Sequence, residues 1–322
     1  MNFSRDATWP WLVLAFVLLG VATTFSTFRV SQDTYRYLFV VDITQSMNVS
    51  DMQLDAAIAT RFQFAKFAIE TALKNLPCGS DAGLGIFTAH RTFVMFTPVE
   101  VCEHYSALSD ILQKVDWRMA WTARSEVAKG LYSAIDATGR TEHETRLVFL
   151  TDGHEAPPLN LNIRPPFNGQ PGSVTGFIAG IGGPVPGRIP HVDDDGNIVG
   201  FWSPDEVMQI DIHSLGRATS EEGEGMVGIN MANIARRIAL GQEHLSSLRE
   251  PHLQELAMQT GLDYVRIETP DDFVQNLRAQ RYARRTPVLS DMGWIPATLA
   301  FVSLVYCFVF VPWGTRPVSA SR

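Results

Sequence analysis

Asp42, Thr44 and Ser46 place three oxygen-bearing side chains at i, i+2 and i+4, and a second carboxylate, Asp152, stands in a Thr151-Asp152-Gly153 turn. Alternate residues of a straight strand rise about 6.6 Å apart, so the first three converge only in a tight loop. There they can share one hard divalent cation. Mg²⁺ prefers about six oxygens at about 2.1 Å and commonly keeps waters among them. Two carboxylates balance its charge, while neutral hydroxyls leave it electrophilic enough to accept a further carboxylate from outside. The competing reading is that Asp42 and Asp152 cap helices and bind no metal.

Such loops need elements that hold them together. The run 37–42, Tyr-Leu-Phe-Val-Val-Asp, has the β-branched and aromatic make-up of a strand buried on both faces. Asp42 therefore leaves the carboxyl end of a strand, the edge where ligands bind in open α/β sheets. The run 147–150 reads as a second buried strand ending just before Asp152, and 174–181 as a third. Residues 61–76 repeat apolar side chains at helical spacing up to Pro77, and 125–137 do so up to Gly139. A further helix at 253–260 stops at Gly261, followed by a strand at 264–267 and a helix from Pro270. Between the first two helices, 83–88 and 93–97 read as a hairpin turning near Ala89 and His90. The alternation predicts an α/β domain, a doubly wound and mainly parallel sheet with one antiparallel edge strand. Residues 184–249 fit it poorly and read as an insertion, with a turn at 194–197, an acidic Gly-rich run at 221–225 and a helix around 231–240.

In combination these residues resemble the metal-ion-dependent adhesion site (MIDAS) of von Willebrand factor A (vWA) domains. That pattern is Asp-x-Ser-x-Ser, a separate Thr, and a later Asp in a Thr-Asp-Gly turn. Thr44 replaces the first Ser and preserves its hydroxyl. The separate Thr stands five residues before a Gly that begins an apolar helical pair; Gly130-Leu131 puts Ser125 at that place, with Thr122 as the competing residue. The resemblance implies a Mg²⁺ or Ca²⁺ site of Asp42, Thr44, Ser46, Ser125 and Asp152. It extends through the helix at 61–69 and the helix and strand at 253–264, covering most of residues 36–280.

Composition sets the surroundings. A formal net charge of -8 and a sequence pI near 5.5 argue against nucleic acid, which needs a basic footprint. With 46% hydrophobic residues, the chain can bury a substantial core. Residues 9–28 and 293–313 are apolar stretches of the length that crosses a bilayer core of about 30 Å, the second flanked by Trp294 and Trp313. The first reads as an uncleaved anchor, the alternative being a signal peptide. This divides the chain into an N-terminal tail 1–8, a transmembrane helix 9–28, a linker 29–35, a vWA domain 36–280, a juxtamembrane linker 281–292, a transmembrane helix 293–313 and a C-terminal tail 314–322.

Sidedness is contested. Arginines flanking the domain favour the cytoplasm, although that rule weakens for a loop this long. The cysteines favour the periplasm: reflecting Cys78 through a turn near 90 lands on Cys102, so a disulfide is feasible, and persistent disulfides belong to oxidising compartments. Two buried free thiols are the alternative. Cys307 lies in the second apolar stretch as a packing residue. The location expected is the inner membrane, with the domain in the periplasm.

Other motifs carry less. His154 and Glu155 abut Asp152 without a His-Glu-x-x-His and read as loop residues at the rim. The run 193–197 lacks the features of an EF-hand and reads as a hairpin turn. Gly180, Gly182 and Gly183 miss the dinucleotide spacing. No Gly-x-Ser-x-Gly, Walker sequence or reactive-cysteine context is present. The expectation is a non-enzymatic module for protein-protein interaction, its ion gripping an acidic side chain of a partner. One A domain between membrane helices resembles bacterial proteins that act with MoxR-type AAA+ ATPases and with other vWA proteins. The wording of 42–48 and 150–155 resembles MxaL-like members linked to methanol oxidation, implying methanol dehydrogenase maturation, with insertion of the calcium of that periplasmic quinoprotein. The alternatives are a Bat-like stress or aerotolerance protein, an adhesion or surface-complex component, and an enzyme.

Overall fold

The computed structural model of the protein describes residues 5–24, 27–54, 57–141, 143–159, 164–193, 195–207 and 241–310. It divides into two compact units, cut between Asp33 and Thr34 and between Arg284 and Arg285. The larger unit is built on strands β1 (Arg36–Asp42), β2 (Asp81–Thr88), β3 (Arg91–Glu100), β4 (Arg146–Thr151), β5 (Gly176–Gly180) and β6 (Asp263–Arg266). They form a six-stranded sheet in the order β6-β5-β4-β1-β2-β3. All run parallel except β3, which pairs antiparallel with β2 at one edge. The expected doubly wound sheet with one antiparallel edge is the architecture found.

Helices α1 (Arg61–Asn75), α2 (Tyr105–Lys114), α3 (Val127–Gly139), α4 (Glu250–Thr260) and α5 (Pro270–Leu277) cover the sheet. Because successive side chains of a strand point to opposite faces, β1 divides itself between two cores. Tyr37, Phe39 and Val41 pack with α1, α2 and α5, whereas Leu38 and Val40 pack with α3 and α4. Each such fully buried side chain stabilises the fold by roughly 1.5–3 kcal/mol. Helix α1 starts in a capping box: Gln63 N donates to Thr60 Oγ1 at 3.1 Å and Thr60 N to Gln63 Oε1 at 3.0 Å. The α2 helix was not among the sequence expectations, although Leu108 and Leu112 bury its inner face.

Register in the β2-β3 hairpin runs from Asp81 opposite Glu100 to Thr88 opposite Arg91, around Ala89 at a φ of 58°. The pairing carries Cys78 and Cys102 together just beyond the ladder, and they form a disulfide with Cα atoms 5.3 Å apart. Within the insertion, Pro190–Val192 and Ile198–Phe201 form the hairpin expected around 194–197. Asp193 organises it, its Oδ1 accepting from Asp195 N and Asn197 N. The acidic run 221–225 and the helix expected at 231–240 lie outside the described residues.

The smaller unit differs from its sequence reading. Its first helix spans Arg5–Thr24 rather than 9–28, and its second runs Trp294–Val305 before widening into a π-helical turn, Tyr306–Phe310. They pack together, with the rings of Trp11 and Tyr306 4.6 Å apart. Among the described residues no helix is long and apolar enough to cross a membrane, so the two expected spans are not confirmed. The stretches 29–35 and 281–292, expected as linkers, instead contribute to paired strands, Thr27–Thr34 and Arg284–Asp291. Backbone pairing is open to any side-chain sequence, which is why charged residues there hid a strand.

Candidate metal centre

The carboxyl ends of β1 and β4, adjacent in the sheet, bring Asp42 and Asp152 into one site. Beyond Asp42 the chain turns at once: Ile43 N donates to Phe87 O at 3.1 Å, and Gln45–Asn48 form a 3₁₀ turn anchored by the buried Met47. This is the tight loop the spacing required. Asp42 Oδ1 accepts from Thr44 N at 2.9 Å and Thr44 Oγ1 at 2.7 Å, and its Oδ2 accepts from Thr151 Oγ1 at 2.6 Å. Thr44 Oγ1 lies 3.4 Å from Ser46 Oγ, which donates to Asp152 Oδ1 at 3.1 Å. The four predicted oxygens on these two loops therefore form one continuous buried cluster.

Ser125 joins them from a third segment. Its backbone is clamped on both sides, by reciprocal bonds with Ala156 at 2.7 Å and by Glu126 N donating to Ala89 O at 2.6 Å. A cavity of about 220 Å³ has Thr44, Ser46 and Ser125 in its lining. The Ser125 Oγ is buried and has no hydrogen-bond partner among the described residues. Thr122 is more exposed, accepts from Arg124 N at 3.3 Å and does not line that cavity. An orphaned buried hydroxyl that lines one cavity with Thr44 and Ser46, whose own hydroxyls bond to Asp42 and Asp152, fits the all-oxygen donor set of Mg²⁺ or Ca²⁺.

The electrostatics point the same way. Burial, with Asp152 close by, pushes the Asp42 carboxyl up to about 7, against the pull of its hydroxyl and amide donors. A carboxyl this reluctant to ionise alone is stabilised as the anion by a cation. Burial is also the largest influence on Asp152 and raises it, but Arg61 and His154 together with the hydrogen bonds from His154 N and Ser246 outweigh burial, and the net direction is downward.

Several residues of this site were missed in the sequence. Arg61, read as the start of an apolar helix, is buried between carboxylates: Nη1 donates to Asp152 Oδ2 at 2.5 Å and Nη2 to Asp51 Oδ2 at 2.6 Å. Ser246, inside the insertion, donates its hydroxyl to Asp152 Oδ2 at 2.9 Å. The reading of His154 and Glu155 as rim residues is corrected, since both are buried. Burial pushes the His154 imidazole down to about 4, so it is neutral at pH 7. Glu155 caps α3 from a distance, its Oε2 accepting from Val127 N and its Oε1 from Ala128 N, both at 2.9 Å. That contact fixes the helix start just after Ser125. A capping-box pattern is local in sequence, so no signal near residue 127 pointed to a cap 28 residues away.

A curated relative, a UPF0353 protein of Mycolicibacterium paratuberculosis, is 28% identical over 153 residues, 46% of this chain and 43% of its own length. The chain thus spans less than half of that relative. Among solved structures, an aerotolerance-related membrane protein from Bacteroides fragilis is 16% identical, with a TM-score of 0.44 over 75% of this chain and 97% of that one. The conserved hypothetical protein BatB from Bacteroides thetaiotaomicron is also 16% identical, with a TM-score of 0.45 over 75% and 96%. Residues 37–154, from the first strand through the Thr-Asp-Gly turn, match the von Willebrand factor type A domain family.

Proposed function

We propose that the chain is a membrane-anchored, non-enzymatic binding module whose Mg²⁺ or Ca²⁺, held by Asp42, Thr44, Ser46, Ser125 and Asp152, accepts an acidic side chain from a protein partner. The unpartnered Ser125 hydroxyl carries this reading, because it completes a donor set that the two loops only begin. The adjoining cavity supports it: at about 220 Å³ it is smaller than the roughly 300–1,000 Å³ of small-molecule sites and suits a single side chain. Apolar surface on the smaller unit, including exposed Phe16, Val17, Phe301 and Val302, supports attachment to a membrane. The Cys78–Cys102 disulfide supports a periplasmic domain.

The sequence offers two clients. Methanol dehydrogenase maturation has no counterpart in the proteins compared above, so the aerotolerance-type alternative is carried forward, with a MoxR-type ATPase and other vWA proteins as the proposed associates. Neighbouring genes separate the two. The direct test is co-purification of a tagged full-length chain from its own membranes in Mg²⁺, in chelator, and as Asp42→Ala. A partner recovered in Mg²⁺ and lost in the other two is the result expected. Equal recovery in all three contradicts the metal bridge.

A further inference from the structure

Resting on the metal reading above, we propose that Arg61 is a positioning residue of the centre: it holds Asp152 back from the ion, so that Asp152 acts through the Ser46 hydroxyl rather than as a direct ligand. The two carboxylates are occupied differently. A carboxylate offers about four lone-pair sites. Asp152 has four donors on it: Arg61 Nη1 and Ser246 Oγ on Oδ2, and Ser46 Oγ and His154 N on Oδ1. Asp42 has three, leaving a site on Oδ2. Asp152 therefore has no free lone-pair site to offer an ion, whereas Asp42 keeps one.

Arg61 is also built not to move. It sits at the first position of α1, where a cation opposes the helix dipole, so helix formation does not explain it. It is wholly buried, and its guanidinium bonds to Asp51 through Nε and Nη2, to Asp152 and Ser246 Oγ through Nη1, and to Ser246 O through Nη2. Gly182, at a φ of +137°, lets the backbone pass so close that a Cβ there would lie 2.8 Å from Arg61 Nε. Asp51 is fixed in turn by Gly183 N, which donates to its Oδ2 at 2.9 Å. A fork bonded to two carboxylates at fixed spacing cannot follow Asp152 toward an ion. The consequence is a single carboxylate, Asp42, in direct contact with the ion. Such an ion keeps more of its charge for the carboxylate of a partner.

The test uses the full chain loaded with Mn²⁺, read by titration for Kd and by water-proton relaxation for the waters on the ion, with Arg61→Gln and Ser246→Ala as variants. Released from its donors, Asp152 enters the coordination sphere. The expected result for Arg61→Gln is a Kd lower by about tenfold, one fewer coordinated water and weaker binding of acetate to the bound ion. Ser246→Ala shifts the same readouts the same way by less. Outer-shell residues that merely support a site weaken metal binding by roughly 10–100-fold when changed. A raised or unchanged Kd with the wild-type number of waters therefore overturns the proposal. If Arg61→Gln does not fold, Ser246→Ala, which keeps the ion pair, decides it on the same readouts. A wild-type chain that binds no Mn²⁺ overturns the metal reading and this inference together, whereas binding that both variants leave unchanged overturns this inference alone.

Discussion

The Arg61 guanidinium and the Asp152 carboxylate meet at 2.5 Å with neither side chain exposed to solvent. Truncating one member of a buried ion pair strands the other, at a cost of about 3–5 kcal/mol. Arg61→Met is thus expected to lower the free energy of unfolding by that amount in chelator, measured in urea. Added Mg²⁺ recovers part of the loss by neutralising the stranded carboxylates. A variant as stable as wild type in chelator contradicts the pairing.

Ser125 and Thr122 make opposite predictions. Ser125→Ala removes an oxygen that has no protein partner among the described residues, so it leaves the stability of the metal-free chain within about 0.5 kcal/mol. Its Mg²⁺ affinity falls by about tenfold, the loss of one ligand-strength interaction of roughly 1.4 kcal/mol. Thr122→Ala changes neither. Calorimetric titration of both variants checks the assignment, and a larger metal effect at Thr122 reverses it.

Glu155→Ala uncaps α3 by leaving Val127 N and Ala128 N without their acceptor. Loss of a cap costs about 0.5–2 kcal/mol. Because the cap sets the start of the helix beside Ser125, Mg²⁺ affinity falls as well. Urea unfolding paired with metal titration detects both effects, and an unchanged midpoint would sink the capping role.

The Cys78–Cys102 bond closes a segment of sequence separation 24, for which loop-closure entropy suggests about 3 kcal/mol of stabilisation. Reduction is expected to lower stability by that order while leaving metal binding in place, since the disulfide lies at the opposite end of β2 from the site. Thiol labelling of intact cells before and after reduction tests the compartment. Cysteines that label without reductant contradict a periplasmic domain.

How far the sequence could be read follows from which contacts are local. The unbroken apolar run from Tyr37 to Val41 specified a strand buried on both faces, and the Asp-x-Thr-x-Ser and Thr-Asp-Gly loops followed because each immediately ends such a strand. Ser125 came only from the resemblance, through its place five residues before Gly130, whereas Cys78 met Cys102 because a hairpin reflects position through its turn. Arg61 escaped because helical periodicity does not say that the first residue of a helix pairs with a carboxylate 91 residues on. Asp51, Ser246 and Glu155 escaped for the related reason that their partners lie between 10 and 94 residues away. In the smaller unit, the apolar runs identified helices, but hydropathy alone did not place their ends.

The most direct measurement is calorimetric titration of the full chain with Mg²⁺ and Ca²⁺, beside Asp42→Asn. Asn keeps the shape of Asp42 and removes a carboxyl that burial and Asp152 push up to about 7, so the variant is expected to fold in chelator as stably as wild type. The account predicts one saturable divalent ion in the wild-type chain and none in Asp42→Asn. A wild-type chain that takes up no ion, or a variant that binds one as tightly, contradicts it.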